Sequence, residues 1–279
     1  MFLTPRKNKG NKGDYGTVAM IGGCSFYMGS MKLANLATSV LRSGAGVIRL
    51  IVAESEKNSI SPYILESTLF LVPSKNGHML FSEELKKSIE NINALAIGMG
   101  WGTSKENEKI LSYILQNFEK PFILDADGLN TLSKMDLSIL KKTKATIVLT
   151  PHVKEFSRLS GYSKESILKN GIVLAKKFAK QYHVFVLLKG ETTILTDGKE
   201  VIFVSRGCAG MATAGSGDVL SGVLLGLLGY LPCTLPVLAT AAYVNGLAGE
   251  IAQQQKGSIS MIASDTVRKL PQAILEIQK

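Results

Sequence analysis

The fold class can be inferred from residues 17–52, which read TVAMIGGCSFYMGSMKLANLATSVLRSGAGVIRLIV. Thr17–Ile21 is a short apolar run that ends in two glycines, which predicts a strand entering a tight loop. Ser30–Ser43 predicts a helix, because apolar residues recur at helical spacing, namely Leu33, Leu36, Ala37, Val40 and Leu41. Val47–Val52 predicts the next strand. A strand–helix–strand unit is typical of a parallel α/β sheet.

The same alternation continues along the chain. Further strands are predicted at Ala94–Ile97, Phe122–Leu124, Thr146–Leu149 and Val184–Leu188, with a hairpin of Thr193–Leu195 and Val201–Val204. Helices are predicted at Lys105–Phe118, Ser163–Gln181, Gly217–Leu228, Pro236–Gln255 and Ser264–Ile277. Polar residues follow the ends of successive strands, and that edge of an open α/β sheet is where ligands bind.

The composition narrows the class of protein. With 279 residues, 46% hydrophobic and 19% charged, the chain is too apolar for a disordered protein, and we expect a single domain over residues 1–279. The three cysteines are far apart and lack metal-binding spacing, which favours a cytoplasmic protein. The formal net charge of +10 comes mostly from scattered basic residues, so an anionic small substrate, or solubility alone, is favoured over nucleic acid as its explanation.

One uncharged stretch, Val219–Gly249, is long enough to span a bilayer. Glycines and prolines interrupt it, and each half is expected to be too short to span alone. We therefore expect two helices buried in the core of a soluble protein, with no membrane partner.

Gly215-Ser216-Gly217-Asp218 precedes a strongly apolar helix. Glycines allow a close backbone approach, and the free amides of a helix start attract anions. Asp218 beside a bound phosphate could take a proton from an attacking hydroxyl. The alternative is a structural role, in which Ser216 caps the helix and Asp218 complements its dipole.

Four other strand ends carry polar or glycine-rich segments, each of which could equally be a turn or a helix cap. They are Gly98–Gly102, Asp125–Asn130 with Asp127, Thr150–Glu155 with His152, and Lys189–Thr193. Carboxylates such as Asp125 can bind hydroxyls or a hydrated Mg²⁺, and Lys189 suits a nucleotide phosphate.

Taken together, these motifs resemble the nucleotide-dependent NAD(P)H-hydrate dehydratases, the carbohydrate-kinase-like branch of the ribokinase superfamily. The resemblance runs over nearly the whole chain. It is carried by residues 12–16, 22–23, 29–30, 43–46, 125–130, 150–155, 188–190, 215–222 and 263–265. It implies a ribokinase-like three-layer α/β/α sandwich with a mostly parallel central sheet.

The resemblance also implies an activity, the repair of (6S)-hydrated NADH or NADPH. ADP would be the co-substrate, releasing AMP and phosphate, since bacterial members typically use ADP and eukaryotic ones ATP; Mg²⁺ would assist. Asp218 matches the general base and Glu155 an indirect metal contact. Substrate contacts fall on Ser30, Gly100, His152 and Asp218, and nucleotide contacts on Lys189, Gly190, Glu191, Thr192, Thr193, Gly215, Ser216 and Gly217.

The chain departs from the family pattern on the substrate side. Ser30 stands where the family usually has Ala, and Met99 and Trp101 stand where it has Pro and Leu. Val153-Lys154 replaces the usual Pro-Gly after the histidine. None of these changes removes a group that performs chemistry.

Two other functions share these residues. One is a vitamin or sugar kinase of the same superfamily, and the other is a non-catalytic nucleotide-binding module. The family resemblance further implies a homo-oligomer, often a homotetramer, and functional coupling to an NAD(P)H-hydrate epimerase expected to be a separate protein.

Overall fold

The computed structural model describes residues 3, 5–34 and 41–278. Over these residues nine strands form one central sheet, and two further strands, β4 (Ser74–Lys75) and β5 (His78–Met79), pair as a separate hairpin. The strands of the central sheet are β1 (Thr17–Ile21), β2 (Val47–Ala53), β3 (Thr68–Val72), β6 (Ala94–Ile97), β7 (Phe122–Leu124), β8 (Ile147–Leu149), β9 (Phe185–Leu188), β10 (Thr193–Thr196) and β11 (Val201–Val204).

The strand order is β11-β10-β9-β8-β7-β6-β1-β2-β3. Strands β9, β10 and β11 pair antiparallel, and the other neighbours pair parallel. From β1 the chain first builds outward through β2 and β3, and it then returns to β6 on the other side of β1. This reversal opens a crevice beyond the carboxyl ends of β1 and β6, where open α/β sheets bind ligands.

Helices cover the sheet on both faces. One layer holds α1 (Met28–Ala34), α8 (Ser216–Leu228), α9 (Leu235–Ser260) and α10 (Ala263–Gln278), which contact one another. The other holds α3 (Glu83–Ser88), α4 (Lys105–Asn117), α5 (Ala126–Leu132), α6 (Val153–Ser160) and α7 (Lys164–Tyr182). The short α2 (Lys57–Ile60) lies between β2 and β3 in the chain and contacts α1. The predicted three-layer α/β/α sandwich with a mostly parallel sheet is confirmed.

The uncharged stretch Val219–Gly249 lies in the core as two helices, α8 and α9, as predicted. The predicted reason was wrong for α9, however, because its 26 residues are long and apolar enough to cross a membrane. Its most apolar window is 78% buried inside the protein. The burial of α9, and not its length, therefore identifies it as a core helix.

Most predicted elements lie within two residues of the observed ones at each end. The exceptions are the strand β3, the hairpin β4–β5 and the helices α2, α3, α5 and α6, none of which was predicted, and the helix α9, which extends five residues beyond its predicted end at Gln255. The predicted helix Ser30–Ser43 begins two residues early, as α1, and residues 35–40 lie outside the described residues.

Candidate active site

Asp218 lies in the first turn of α8, at a helix start that no side chain of the described residues caps. Gly215 is the N-cap residue, and its φ of 93° requires a conformation that favours glycine. Ser216 is not the cap, and its buried Oγ has no hydrogen-bond partner in the described part of the chain. The structural alternative, a helix capped by Ser216, is therefore wrong. The helix start keeps its donors available for an anion.

Asp218 is an ionisable residue, yet it is buried and only 8% exposed. Burial raises its pKa to about 7, and the negative charge of Asp125 contributes to that rise. Lys189 and a hydrogen bond from the Ser30 hydroxyl act in the opposite direction. A carboxylate with a pKa near neutrality in a cleft is suited to accept a proton from a substrate hydroxyl.

Lys189, which follows β9, brings a half-buried positive charge to the same place. Its ammonium donates to Asp125 Oδ1 at 2.8 Å, and Glu155 Oε2 lies 3.8 Å away. Burial opposes the charged ammonium, but these two carboxylates outweigh it and raise the pKa of Lys189. A Cβ built on Gly217 would lie 3.5 Å from Lys189 Nζ, so the lysine stands next to the start of α8.

His152 and Glu155 cap the helix α6 reciprocally. The His152 Nδ1 accepts from the amides of Lys154 and Glu155, and Glu155 Oε2 accepts from the His152 amide at 2.9 Å. Burial and the nearby Lys189 lower the pKa of His152, whereas burial raises the pKa of Glu155. The backbones of His152 and Lys189 form an isolated parallel β-bridge, so both residues lie at the same edge of the central sheet.

The glycine loop after β6 packs against the start of α1. Gly100, with a φ of 59°, lies so close to α1 that a Cβ there would come within 2.8 Å of Ser30 Cβ. Because Ser30 hydrogen-bonds Asp218, this packing joins the loop to the candidate base. The structure thus brings together Ser30, Gly100 and Asp218 at the crevice beside β1.

On the other side of Asp218 a cleft of about 610 Å³ runs along α8 and α9. It is lined by Lys189, Gly190, Glu191, Thr193, Ser216 and Gly217 from the predicted nucleotide contacts. Thr192 and Gly215 are not among the lining residues: Thr192 Oγ1 pairs with Ser205 Oγ at 3.2 Å, and Gly215 packs toward Leu33.

The cleft also contains residues that sequence reasoning missed, namely Arg206, Gly207, Cys208, Ala209, Met211, Ala212, Leu220, Ala242, Asn245 and Gly246. Asn245 is 6% exposed, and its Oδ1 has no partner among the residues that the structure describes. An amide side chain in the uncharged first part of α9, residues 235–249, was the signal that could have identified it.

Asp125, Asp127 and Asn130 follow the predicted capping pattern around α5. Asp125 accepts from the Ala126 amide, and Asp127 accepts from Asn130 Nδ2 and from the Gly102 amide. Asp125 does more than cap, because Ser221 Oγ also donates to its Oδ2 at 2.8 Å. It thereby connects β7, β9 and α8 below the site.

Three comparisons with known proteins bear on this arrangement. The family model described as NAD(P)H-hydrate dehydratase matches residues 18–272. The ADP-dependent (S)-NAD(P)H-hydrate dehydratase of Nitrosopumilus maritimus is 30% identical over 259 residues, which cover 92% of this chain and 88% of that protein. The crystal structure of the ADP/ATP-dependent NAD(P)H-hydrate dehydratase from Bacillus subtilis, co-crystallised with ATP and Mg²⁺, is 25% identical with a TM-score of 0.84, covering 98% and 94% of the two chains.

The bifunctional NAD(P)H-hydrate repair enzyme of Moorella thermoacetica is 32% identical over 282 residues, covering 99% of this chain and 52% of that protein. The chain thus spans about half the length of the bifunctional relatives it matches. The likeness to solved ribokinase-like proteins confirms the predicted ribokinase-like fold.

Proposed function

The chain belongs to the NAD(P)H-hydrate dehydratase family, and from this we propose that it dehydrates (6S)-hydrated NADH or NADPH with ADP as the phosphoryl donor. The observation that supports this most directly is the position of Asp218. Its buried carboxylate lies at an uncapped helix start, beside Lys189 on one side and Ser30 on the other. That position lies between the cleft and the crevice, so one carboxylate can face two ligands.

In the first step the ring hydroxyl of the hydrate attacks the terminal phosphorus of ADP. A new C–O–P linkage forms, the P–O bond to AMP breaks, and Asp218 takes the hydroxyl proton. The amides at the start of α8 and the Lys189 ammonium stabilise the charge on the transferring phosphoryl group. On this basis we assign to the nucleotide the predicted contacts that line the cleft, namely Lys189, Gly190, Glu191, Thr193, Ser216 and Gly217.

In the second step the phosphate leaves with the C–O electron pair, driven by the lone pair of the ring nitrogen. Loss of a proton from the neighbouring ring carbon restores the dihydronicotinamide. The contacts of Ser30 with Gly100 and with Asp218 support the role of Ser30 and Gly100 in holding the ring. We assign His152, which is bridged to Lys189, to the substrate on the family resemblance.

The carboxylates near the cleft are few, which fits a Mg²⁺ ion that keeps most of its bound waters. Among the described residues no group of three or more His, Cys, Asp or Glu side chains could hold a metal ion. Mg²⁺ is commonly held by one or two carboxylates together with substrate phosphates, and Glu155 is the carboxylate we assign to it. When bound, the ion would neutralise charge on the phosphate oxygens.

Incubation of the protein with hydrated NADH, Mg²⁺ and either ADP or ATP tests the proposal. We expect the absorbance of reduced nicotinamide to recover faster with ADP, with AMP and phosphate released in equal amounts. A stable phosphorylated product would indicate a kinase instead, and nucleotide binding without turnover would indicate a binding module. Efficient turnover with ATP and none with ADP would contradict the choice of donor.

We further propose that the protein acts in the cytoplasm as a homo-oligomer, and that its substrate is supplied by an epimerase acting on the other hydrate isomer. The bifunctional names of the Moorella relative and its like support this coupling. Size-exclusion chromatography with light scattering would test the oligomer.

A further inference from the structure

Two aromatic side chains stand exposed beside the crevice. Phe26 is 80% exposed and Tyr27 is 57% exposed, although both are large and apolar in character. They occupy a turn between β1 and α1, and the proposed function assigns no role to that turn. Exposed apolar side chains that lie next to each other commonly mark a surface that binds a ligand or a partner protein.

The backbone below these rings is held in place on two sides. The Tyr27 amide donates to the Cys24 carbonyl at 2.9 Å, and Ser25 Oγ donates to Glu56 at 2.7 Å. Gly100 and Gly77 both press against the turn, so closely that a Cβ on either one would overlap it. The turn is therefore supported, and the two rings are presented to solvent from a fixed base.

The rings also lie close to the reacting end of the site. The Tyr27 carbonyl accepts from the Ser30 amide at 3.0 Å, and the Ser30 hydroxyl bonds to Asp218. One helical turn thus separates the aromatic pair from the residue that contacts the candidate base. The cleft that holds ADP in the proposed function lies on the other side of Asp218, along α8 and α9.

Building on the proposed function, we propose that Phe26 and Tyr27 form a stacking platform for the adenine of the hydrated dinucleotide. The substrate carries two nucleosides, and its hydrated ring must lie at Asp218. With the cleft occupied by ADP, the second nucleoside leaves the crevice on the side of β1 and α1, where these rings are exposed. Bases stack on aromatic side chains without any need for specific hydrogen bonds, which suits a platform on an open surface.

The test compares two substrates in one pair of proteins. The double variant Phe26→Ser/Tyr27→Ser is compared with the wild type on hydrated NADH and on hydrated reduced nicotinamide mononucleotide, which lacks the AMP half of the dinucleotide. We expect kcat/KM for hydrated NADH to fall by about 10-fold, within the range for loss of base stacking. The mononucleotide should lose less than 2-fold, and KM for ADP should not change. The variant Phe203→Ser, which removes an exposed aromatic ring (53% exposed) on β11, is the matched control.

The outcomes separate the two proposals. If the wild type restores neither substrate, the proposed function fails. If the wild type is active and the double variant loses activity equally on both substrates, the platform is wrong and the function stands. The same conclusion follows if the double variant loses activity on neither substrate. A double variant that elutes as a smaller species than the wild type would also overturn the platform, because the rings would then serve contacts between copies of the chain.

Discussion

The Asp125 carboxylate holds the Lys189 ammonium at 2.8 Å, and both groups lie below the start of α8. Asp125 is 2% exposed, and its second oxygen accepts from Ser221 of α8. The pair fixes a positive charge where the terminal phosphate of a nucleotide would lie, and it places a negative charge near Asp218. Asp125 therefore affects the candidate base through space, by raising the pKa of Asp218.

Replacing Asp125 by Asn should lower the pKa of Asp218 from its value of about 7. The variant removes the negative charge of Asp125, which disfavours ionisation of Asp218. It also leaves Lys189 without this partner, so the ammonium is free to favour the ionised form of Asp218. Both changes therefore lower the pKa of Asp218. Asn still caps α5, so the fold should persist. We expect the acid limb of the kcat/KM profile for hydrated NADH to move to lower pH.

The variant Asp127→Asn provides a graded control for this shift. Asp127 also raises the pKa of Asp218, but as the smallest of the named contributions. Its replacement should shift the limb in the same direction and by less. Equal shifts in the two variants, or a shift to higher pH in Asp125→Asn, would contradict the assignment of Asp125.

Replacing Asp218 by Asn should nearly abolish turnover and leave nucleotide binding intact. Asn keeps the size of Asp but cannot accept the hydroxyl proton, and loss of a general base typically costs about 10²–10⁴-fold. Loss of a negative charge beside the phosphates should, if anything, tighten ADP binding. Turnover and ADP affinity measured on the same variant decide this. Activity close to that of the wild type would exclude Asp218 as the base.

The same variant should be more stable than the wild type above neutral pH. The folded-state pKa of Asp218 is about 7 against an ordinary value of 3.8, so folding favours the protonated form. The destabilisation is absent below pH 4, grows through the interval up to pH 7 and is complete above it. At roughly 1.4 kcal/mol per pKa unit, ionised Asp218 destabilises the wild type by at most about 4 kcal/mol. Partial solvent access lowers this destabilisation to about 1–3 kcal/mol. Thermal unfolding of both proteins at pH 4 and pH 8 checks the pH dependence.

The sequence was sufficient to predict the parallel sheet and the polar segments at its carboxyl edge. Apolar runs ending in glycine or Asp, such as Phe122–Leu124 before Asp125, mark strands whose carboxyl ends converge. The strand Thr68–Val72 was missed because it pairs on one side only and is mostly half-buried, so its pattern is weak.

Contacts between distant segments could not be predicted in this way. Asp125 and Ser221 are separated by 96 positions, and nothing in the local pattern of either residue indicates the hydrogen bond between them. Arg206 and Met211 reach the cleft because the chain after β11 folds back toward α9, which depends on packing and not on local propensity. The sequence shows that Asn245 is a polar residue in an apolar run, but it does not show that the residue lines the cleft.

Replacing Asn245 by Leu should weaken ADP binding and leave the free protein at least as stable. The Asn245 Oδ1 is buried without a partner in the described structure, and such a group costs about 1–3 kcal/mol until a donor completes it. A ligand amino group in the cleft is the donor we expect, so KM for ADP should rise about 5- to 20-fold. The control is Thr240→Val on the same helix, because Thr240 bonds Pro236 within α9 and does not line the cleft. A drop in the stability of Asn245→Leu with unchanged KM would indicate a structural role.

Replacing Gly100 by Ala should disrupt the crevice. Gly100 has a φ of 59°, which disfavours any side chain, and a Cβ would overlap the Tyr27 carbonyl oxygen and lie 2.8 Å from Ser30 Cβ. The variant Gly161→Ala is the matched control, since Gly161 has a φ of 76° and nothing lies within 4 Å of a Cβ built there. Both variants should lose about 1 kcal/mol of stability from the backbone. Only Gly100→Ala should also displace Ser30 from Asp218, and there we expect kcat/KM for hydrated NADH to fall more than about 10-fold, as when a positioning contact moves by 1 Å. Equal kinetic losses in the two variants would mean that Gly100 serves only the turn geometry and that the contact with Ser30 does not position the substrate.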